Sequence, residues 1–386
     1  MSKTNLPIIG LNMIVKNEEK VIKRLLQTLP KLVDWYTIVD TGSTDKTKEI
    51  IKETMDALGI PGEILDHKWV NFCTARNFAL ESIKGKAKWG FWIDADEQLI
   101  IDSTWTKESM IKQLDHQKPD ICSCLVNYGS QQYFRSQLFR IDFPWIWKGA
   151  VHEVQVSTVK EKQPIGTQLN GLSTLVTPDG ASWGDGSKEA QRKKYLEHAE
   201  LLTEYIKTDN DVRWVFYLAQ SYRDAFEWSK SEYWYNHRVQ LGGGYWEEIY
   251  FSQLMVANMK RNQQKPISEV LEAFALCSKF DRGRCEHLIP SIRHYQQQQN
   301  WMQAYIISKY CYDNFKASPF PKSSLFIEQN VYDWVITDLH CISAFYMNKK
   351  QEAKSVYNKL RKKINEDKVP KDQHKRIIDN QKWYTN

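Results

Sequence analysis

No stretch of the 386-residue chain is apolar for long enough to span a bilayer, and its first residues, MSKTNLPIIG, form no charged-then-apolar leader. The expectation is a soluble, cytoplasmic protein. Cysteine is sparse and scattered, at Cys73, Cys122, Cys124, Cys277, Cys285, Cys311 and Cys341. Only Cys122 and Cys124 lie close together, in an apolar alternating stretch with no second pair nearby, whereas zinc sites bring matched half-sites together. The cysteines read as buried thiols in a reducing compartment. Charge of one sign is also scarce: 53 Lys and Arg against 47 Asp and Glu leave a net charge of +6. With no basic stripe, nucleic acid is not an indicated partner. Much of the small excess sits in the tail from Lys359 to Lys375, KLRKKINEDKVPKDQHK, which reads as a solvated helix.

What is present is a globular composition. Hydrophobic residues make up 42% and charged residues 26% of the chain, and the length suits two ordinary domains or one large one. The 15 Trp and 19 Tyr suit helical-repeat cores and equally suit stacking on sugars or bases.

The most informative stretch is FWIDADEQL, residues 91–99. An apolar run from Trp89 to Ile93 reads as a buried strand ending in Asp94-Ala95-Asp96-Glu97. On a strand, positions two apart share a face, so Asp94 and Asp96 are expected to point the same way. Like charges that close repel unless a cation or a hydrogen-bond network lies between them. One reading is a divalent cation at a strand tip, bridging to a phosphate-bearing substrate. The other is a strand running into an acidic surface turn.

Upstream, LPIIGLNMIV (residues 6–15) reads as a buried parallel strand, and Asn17 is placed to cap a helix carrying Val21, Ile22, Leu25, Leu26 and Leu29. A strand from Tyr36 to Asp40 leads through Gly42 into a helix from Lys46 to Ala57, with Asp45 as a cap. A strand from Ile60 to Asp66 and a helix from Asn71 to Ile83 follow. Alternation of strand and helix predicts parallel strands with right-handed crossovers, and polar residues gather at the tips: Asn17, Asp40, Asp94 and Asp96. A helix from Asp102 to Leu114 and antiparallel strands from Ile121 to Tyr128 and Tyr133 to Ile141, turning at Gly129-Ser130, come next.

LNMIVKNEE, IVDTGSTDKT, HKWVNFCTARN and WIDADE, in this order and spacing, resemble the family 2 glycosyltransferases of the GT-A fold. The resemblance implies a Rossmann-like α/β domain with a mixed, mostly parallel sheet, and a nucleotide-sugar site formed by Met13, Val15, Asn17, Glu18, Asp40, Arg76, Asp94, Ala95 and Asp96. Asp40 would accept a hydrogen bond from the base, with the backbone near Met13 to Val15 lining its pocket. A carboxylate facing an imide N–H discriminates for uracil or thymine, so a UDP-sugar is the default donor. Arg76 is either a phosphate or base contact or an exposed helix arginine. Asp94 would face the ribose, and Asp96, in a DXD motif, would hold Mn²⁺ or Mg²⁺ against the leaving diphosphate.

FPWIWKGAVHEVQV (residues 143–156) resembles the acceptor-side loop of such enzymes. Glu153 is the candidate general base for an inverting transfer. His152 is a candidate metal or diphosphate contact, or a structural histidine. Trp145 and Trp147 offer flat faces for a sugar, or pack in the core. A strand from Leu169 to Val176 leads into TPDGASWGDGS (residues 177–187), where many relatives place a metal-binding histidine. This chain has Thr177, Pro178 and Asp179, so either Asp179 substitutes or water and diphosphate fill the position. The Gly- and Ser-rich loop is expected to move and to close over the donor.

From Lys188 the strand signals cease, which places a domain boundary between a catalytic domain, 1–187, and an all-α region, 188–386. WVFYLAQSYRDAFEWSKSEYWY (214–235) has the helix–turn–helix pattern of a tetratricopeptide (TPR) unit. Tyr222 and Trp228 match Tyr295 and Trp301 at one offset, Tyr245 to Met259 fills the middle place, and residues 331–360 supply a last pair. Such helices offer a surface for extended partners such as a protein or glycan acceptor, or serve packing and homodimer formation. Three readings follow: a metal-dependent inverting glycosyltransferase with an unidentified acceptor, a TPR-type scaffold on an inactive transferase fold, and a transferase acting on modified DNA.

Overall fold

The computed structural model describes residues 6–129, 131–281, 283–315 and 326–385. The chain divides into two compact units, Met1–Thr208 and Asp209–Asn386.

The first unit is built on an eight-stranded mixed sheet in the order β3-β2-β1-β4-β7-β6-β10-β5. The strands are β1 (Ile9–Val15), β2 (Trp35–Asp40), β3 (Gly62–Asp66), β4 (Trp89–Phe91), β5 (Glu97–Ile101), β6 (Ile121–Tyr128), β7 (Gln131–Arg140) and β10 (Gly166–Val176), with β8 (Trp145–Lys148) and β9 (Val154–Ser157) forming a separate hairpin. Strands β3, β2, β1 and β4 run parallel, so their C-terminal tips share one edge. Helices α1 (Ile22–Leu26), α2 (Thr47–Ala57) and α3 (Phe72–Ser82) cross between them, as the alternating pattern requires. The core of β1 and β2 (Leu11, Met13, Ile38) packs against Leu25 of α1 and Ile51 of α2. A second cluster joins Leu80 and Ile83 of α3 to Phe139, Trp145 and Trp147. Helix α4 (Lys107–Gln117) starts later than expected because Thr106 and Ser109 form a capping box. Ser130, placed in the turn between β6 and β7, lies outside the described residues.

Two local expectations are corrected. Asn17 does not cap α1, whose N-cap is Val21 without a side-chain bond. It adopts a left-handed backbone (φ 56°) and ties two strand-tip loops together, donating its N–H to Ser43 Oγ (2.9 Å) and accepting from Thr44 N (2.8 Å) at Oδ1. Nor does β4 run to Asp94. It pairs closely with β7, where a Cβ on Gly90 would come within 2.3 Å of the Phe139 ring. The chain leaves the ladder after Trp92 and turns, closed by Glu97 N–H donating to Asp94 O at 3.1 Å. Asp94 and Asp96 therefore sit on a turn, and strand alternation does not align them.

Helix α5 (Lys188–Tyr205), capped by Ser187, belongs to the first unit, so the division falls after this helix rather than before it. Tyr205 Oη accepts from Gly149 N at 3.1 Å, and the His198 ring meets Phe72 edge-on.

The second unit is all helical. Its helices pair as α6 (Val212–Asp224) with α7 (Trp228–Leu241), α8 (Trp246–Asn262) with α9 (Ile267–Ala275), α10 (Ile289–Gln297) with α11 (Trp301–Phe315), and α12 (Ile336–Tyr346) with α13 (Lys350–Asn365). α14 (Lys371–Asp379) and α15 (Gln381–Thr385) follow. The first helix of every pair ends the same way. Phe226, Gln264, Gln299 and Asn348 take positive φ between 55° and 62°. The next residue donates five back, from Glu227 to Tyr222 O, Lys265 to Lys260 O, Asn300 to Tyr295 O and Lys349 to Ala344 O. These are Schellman closures, which turn the chain sharply into the partner helix. Tyr222 and Tyr295 supply equivalent carbonyls, and Trp228 and Trp301 open equivalent second helices, which is the physical content of the offset seen in the sequence. All seven cysteines are buried thiols. Among the described residues no helix is long and apolar enough to cross a membrane.

Candidate active site

The parallel strand tips carry the polar residues that the sequence singles out. At the end of β2, Asp40 is 1% exposed. Its Oδ1 accepts from Gly42 N (2.9 Å) and Ser43 N (2.8 Å), which the turn at Gly42 (φ 106°) brings round. Its Oδ2 is buried and has no donor. A buried carboxylate oxygen without a partner is costly, so it marks a place prepared for an incoming N–H. On the neighbouring β1, Met13 and Val15 put their side chains into the core, and the Val15 carbonyl accepts from Thr41 N (2.9 Å) and Thr41 Oγ1 (3.1 Å). Asp45 serves the start of α2, accepting from Thr47 N (3.0 Å) and Thr47 Oγ1 (2.6 Å).

The turn after β4 separates its two aspartates. Asp94 accepts from Arg76 Nη2 at 2.8 Å and lies 3.9 Å from Arg135 Nη1. Burial pushes its proton affinity up, but the Arg76 and Arg135 charges overcome this and hold the carboxyl below the usual range. Asp96 Oδ2 accepts from Trp183 Nε1 at 3.0 Å, and burial together with the Asp94 charge raises its proton affinity. Ala95, between them, is buried.

Arg76 is not an exposed helix arginine. At 6% exposure, it donates from Nε to Glu153 Oε1 (2.5 Å) as well as to Asp94, and its guanidinium lies 4.7 Å from the Trp92 ring and 5.2 Å from Trp147. One buried cation thus joins the acidic turn to the candidate base. Its neighbour Asn77 fixes the other element, donating from Nδ2 to Trp147 O (2.9 Å) and accepting from Trp147 N (2.8 Å) at Oδ1. The ARN sequence on α3 therefore holds both the hairpin and the His-Glu loop that follows β8. Trp145 and Trp147, at 5% and 4% exposure, are core residues and present no face to a sugar. His152 takes a left-handed backbone (φ 53°) near His198 of α5, whose pKa is lowered to about 3, by burial first.

Sequence reading missed Arg135 and Glu97. Arg135 of β7 donates to Glu97 Oε2 at 2.5 Å and lies 4.6 Å over the Trp92 ring, opposite the use Arg76 makes of the same indole. A lone arginine in an alternating strand carries no signal; only the fold brings it to Asp94.

The loop after β10 lies on the strand tips. Asp179 forms a two-pronged pair with Arg24 (2.6 and 2.7 Å). Ala181 N donates to Glu18 Oε2 at 3.0 Å. Gly180 makes this approach possible, since a Cβ there would stand 3.0 Å from Asp96 Cβ and 3.2 Å from Glu18 Oε2. Glu18 and Asp96 therefore flank one backbone position. Burial raises the Glu18 pKa to about 7, partly offset by the Ala181 N–H and reinforced by Asp96. Two crowded carboxylates, each with its proton affinity raised, suit a hard divalent cation. Among the described residues no three His, Cys, Asp or Glu side chains gather for a metal.

Residues 12–161 match the Glycosyl transferase family 2 model. The first unit carries a family 2 glycosyltransferase domain. The chain is 33% identical over 139 residues to a TPR repeat-containing protein of Synechococcus elongatus, covering 34% of this chain and 31% of that protein. It is 35% identical over 86 residues to the lipopolysaccharide core biosynthesis glycosyltransferase LpsC of Rhizobium meliloti, covering 22% and 30%. It is 28% identical over 158 residues to the SPbeta prophage-derived glycosyltransferase SunS of Bacillus subtilis, covering 39% and 35%. The chain thus spans about a third of the length of these relatives. Among solved structures it is similar to S. aureus TarS 1-349 in complex with UDP-GlcNAc, with TM-score 0.32 and 12% identity over 83% of this chain and 97% of that one. It is also similar to a tetratricopeptide repeat protein from Parabacteroides merdae, with TM-score 0.28 and 14% identity over 46% and 62%.

Proposed function

We propose that the protein transfers a sugar from a uridine diphosphate sugar to an acceptor hydroxyl, with inversion at the anomeric carbon. The observation that carries this reading is the donorless, buried Asp40 Oδ2 at the tip of β2. An imide N–H of uracil is the donor it lacks, and cytosine and the adenine ring edge offer no imide. An inactive scaffold has no use for a buried acceptor left unsatisfied at a strand tip.

In this reading Asp94, kept ionised by Arg76 and Arg135, accepts from the ribose hydroxyls. Asp96 and Glu18 are the residues that would hold Mn²⁺ or Mg²⁺, whose bound charge offsets that of the leaving diphosphate. Glu153 takes the proton of the acceptor hydroxyl as its oxygen bonds to the anomeric carbon and the bond to the diphosphate breaks on the opposite face. Arg76, by gripping one Glu153 oxygen, fixes the carboxylate's direction and leaves the other oxygen for the proton. The helical unit is the natural place for an extended acceptor, protein or glycan.

The test is ligand-induced stabilisation. A ligand that binds only the folded state raises the melting temperature by mass action. UDP should raise it, CDP and ADP should not, and Asp40→Asn should lose the UDP effect with its own unliganded melting temperature little changed. No shift with UDP, with or without Mn²⁺, removes the donor assignment.

A further inference from the structure

The contacts between the loop and the strand tips have a chemical consequence. Both carboxylates that flank Gly180 are already engaged by N–H donors from one short segment: Ala181 N on Glu18 Oε2 at 3.0 Å and Trp183 Nε1 on Asp96 Oδ2 at 3.0 Å. The segment is held down at each end. Upstream, Thr177 N donates to Asp96 O (3.0 Å) and Asp179 is clasped by Arg24. Downstream, Lys194 of α5 lies 3.9 Å over the Trp183 ring. Beyond the indole, Gly184 (φ 59°, ψ −137°) and Gly186 (φ 74°) take conformations open to glycine, giving the loop two places to change course before Ser187 caps α5.

We propose that Ala181 and Trp183 are internal competitors for the cation at this site. Each N–H holds one carboxylate oxygen, Glu18 Oε2 or Asp96 Oδ2, that would otherwise be open to a divalent ion, so the loop in this position competes with the cation for the two side chains. Occupancy by the cation lifts the indole from Asp96, and the loop's return ejects the cation once the nucleotide has left. This inference rests on the assignment of Asp96 and Glu18 as the cation's ligands.

The experiment is an Mn²⁺ titration of the full-length chain, reading free Mn²⁺ by electron paramagnetic resonance, with no sugar transfer involved. Trp183→Phe keeps an aromatic ring beneath Lys194 but removes the donor. It should bind Mn²⁺ about tenfold more tightly than the parent, the equivalent of one charge-assisted hydrogen bond at the low end of its range. Asp96→Asn should abolish the tight site in either background. Equal Mn²⁺ affinity in the parent and Trp183→Phe overturns the competition and leaves the ligand assignment standing. Absence of Mn²⁺ binding from all of them, with UDP present or absent, overturns both, while UDP stabilisation measured in EDTA reports on the donor site separately.

Discussion

Arg76→Met is the substitution whose cost follows most directly from the geometry. Methionine replaces much of the apolar stem that Trp92 and Trp147 enclose but removes the guanidinium. Two charge-assisted hydrogen bonds vanish, at 2.5 Å to Glu153 and 2.8 Å to Asp94. Such a bond contributes about 1.5–3 kcal/mol. The Asp94 term deserves a discount, because 41% of that side chain is exposed and water screens the pair. The Glu153 side chain is only 12% exposed and would be left buried without the Arg76 charge. Breaking a buried pair by removing one partner costs roughly 3–5 kcal/mol, and the discounted sum falls at about 3–4 kcal/mol. Because the chain has two compact units, a single global midpoint would blur the effect. Hydrogen-exchange mass spectrometry on peptides from α3 and β8 reads the first unit by itself. The double variant Arg76→Met, Glu153→Gln should recover at least about 1 kcal/mol, since the uncompensated charge is then gone. A loss below about 1 kcal/mol in the single variant, or no recovery in the double, refutes the view that Arg76 is the cation on which this site is assembled.

Other outcomes follow from the same geometry. Glu153→Gln should bind UDP with unchanged affinity yet lose transfer by a factor of about 10² or more, as removal of a general base does; equal turnover would take Glu153 out of that role. In the helical unit, His287 is buried with Nδ1 3.2 Å from Tyr250 Oη and Nε2 2.8 Å from Ser278 Oγ, and burial lowers its pKa to about 4. Its folded value lies below its unfolded value near 6.5, so its contribution is whole above pH ~6.5 and drains away as pH falls toward ~4, by about 1.4 kcal/mol per unit within that window. Urea midpoints of α8 and α10 peptides between pH 7.5 and 4.5 check this, and His287→Gln should flatten the slope.

The parallel half of the sheet was legible because each strand is an apolar run closed by turn or cap residues, a pattern that local chemistry imposes. The helix pairs were legible through Tyr222, Trp228, Tyr295 and Trp301, since the same Schellman turn sits between each tyrosine and the tryptophan that opens the next helix. The site was legible only as a set of residues. Arg76 looked like a phosphate contact because an isolated guanidinium suits phosphate; nothing in the sequence says that Glu153, 77 positions away, lies 2.5 Å from its Nε. Trp145 and Trp147 looked like stacking faces for the same reason. Aromatic residues carry both readings until burial chooses. Asn17 misled because an asparagine before a helix suits a cap, whereas here a left-handed backbone turns its side chain toward Thr44. Arg135 needed β7 to be laid beside β4, a non-local pairing no motif encodes.

The turn at Asp94-Ala95-Asp96 shows what an end to the strand accomplishes. Had β4 continued, the two aspartates would share a face and a fate, each raising the other's proton affinity. Leaving the ladder at Trp92 lets the side chains part. Asp94 goes to the arginines of α3 and β7, which hold it ionised; Asp96 goes to the loop after β10, where it accepts from the Trp183 indole N–H. Carboxylates whose environments drive their proton affinities apart are suited to different tasks. The first is a fixed acceptor, anchored by charges that a ligand does not displace. The second is held by neutral donors, the Trp183 indole and its own backbone N–H, and is therefore the carboxylate an incoming cation can take. A three-residue strand followed by a turn is thus the feature that separates a permanent contact from an exchangeable one.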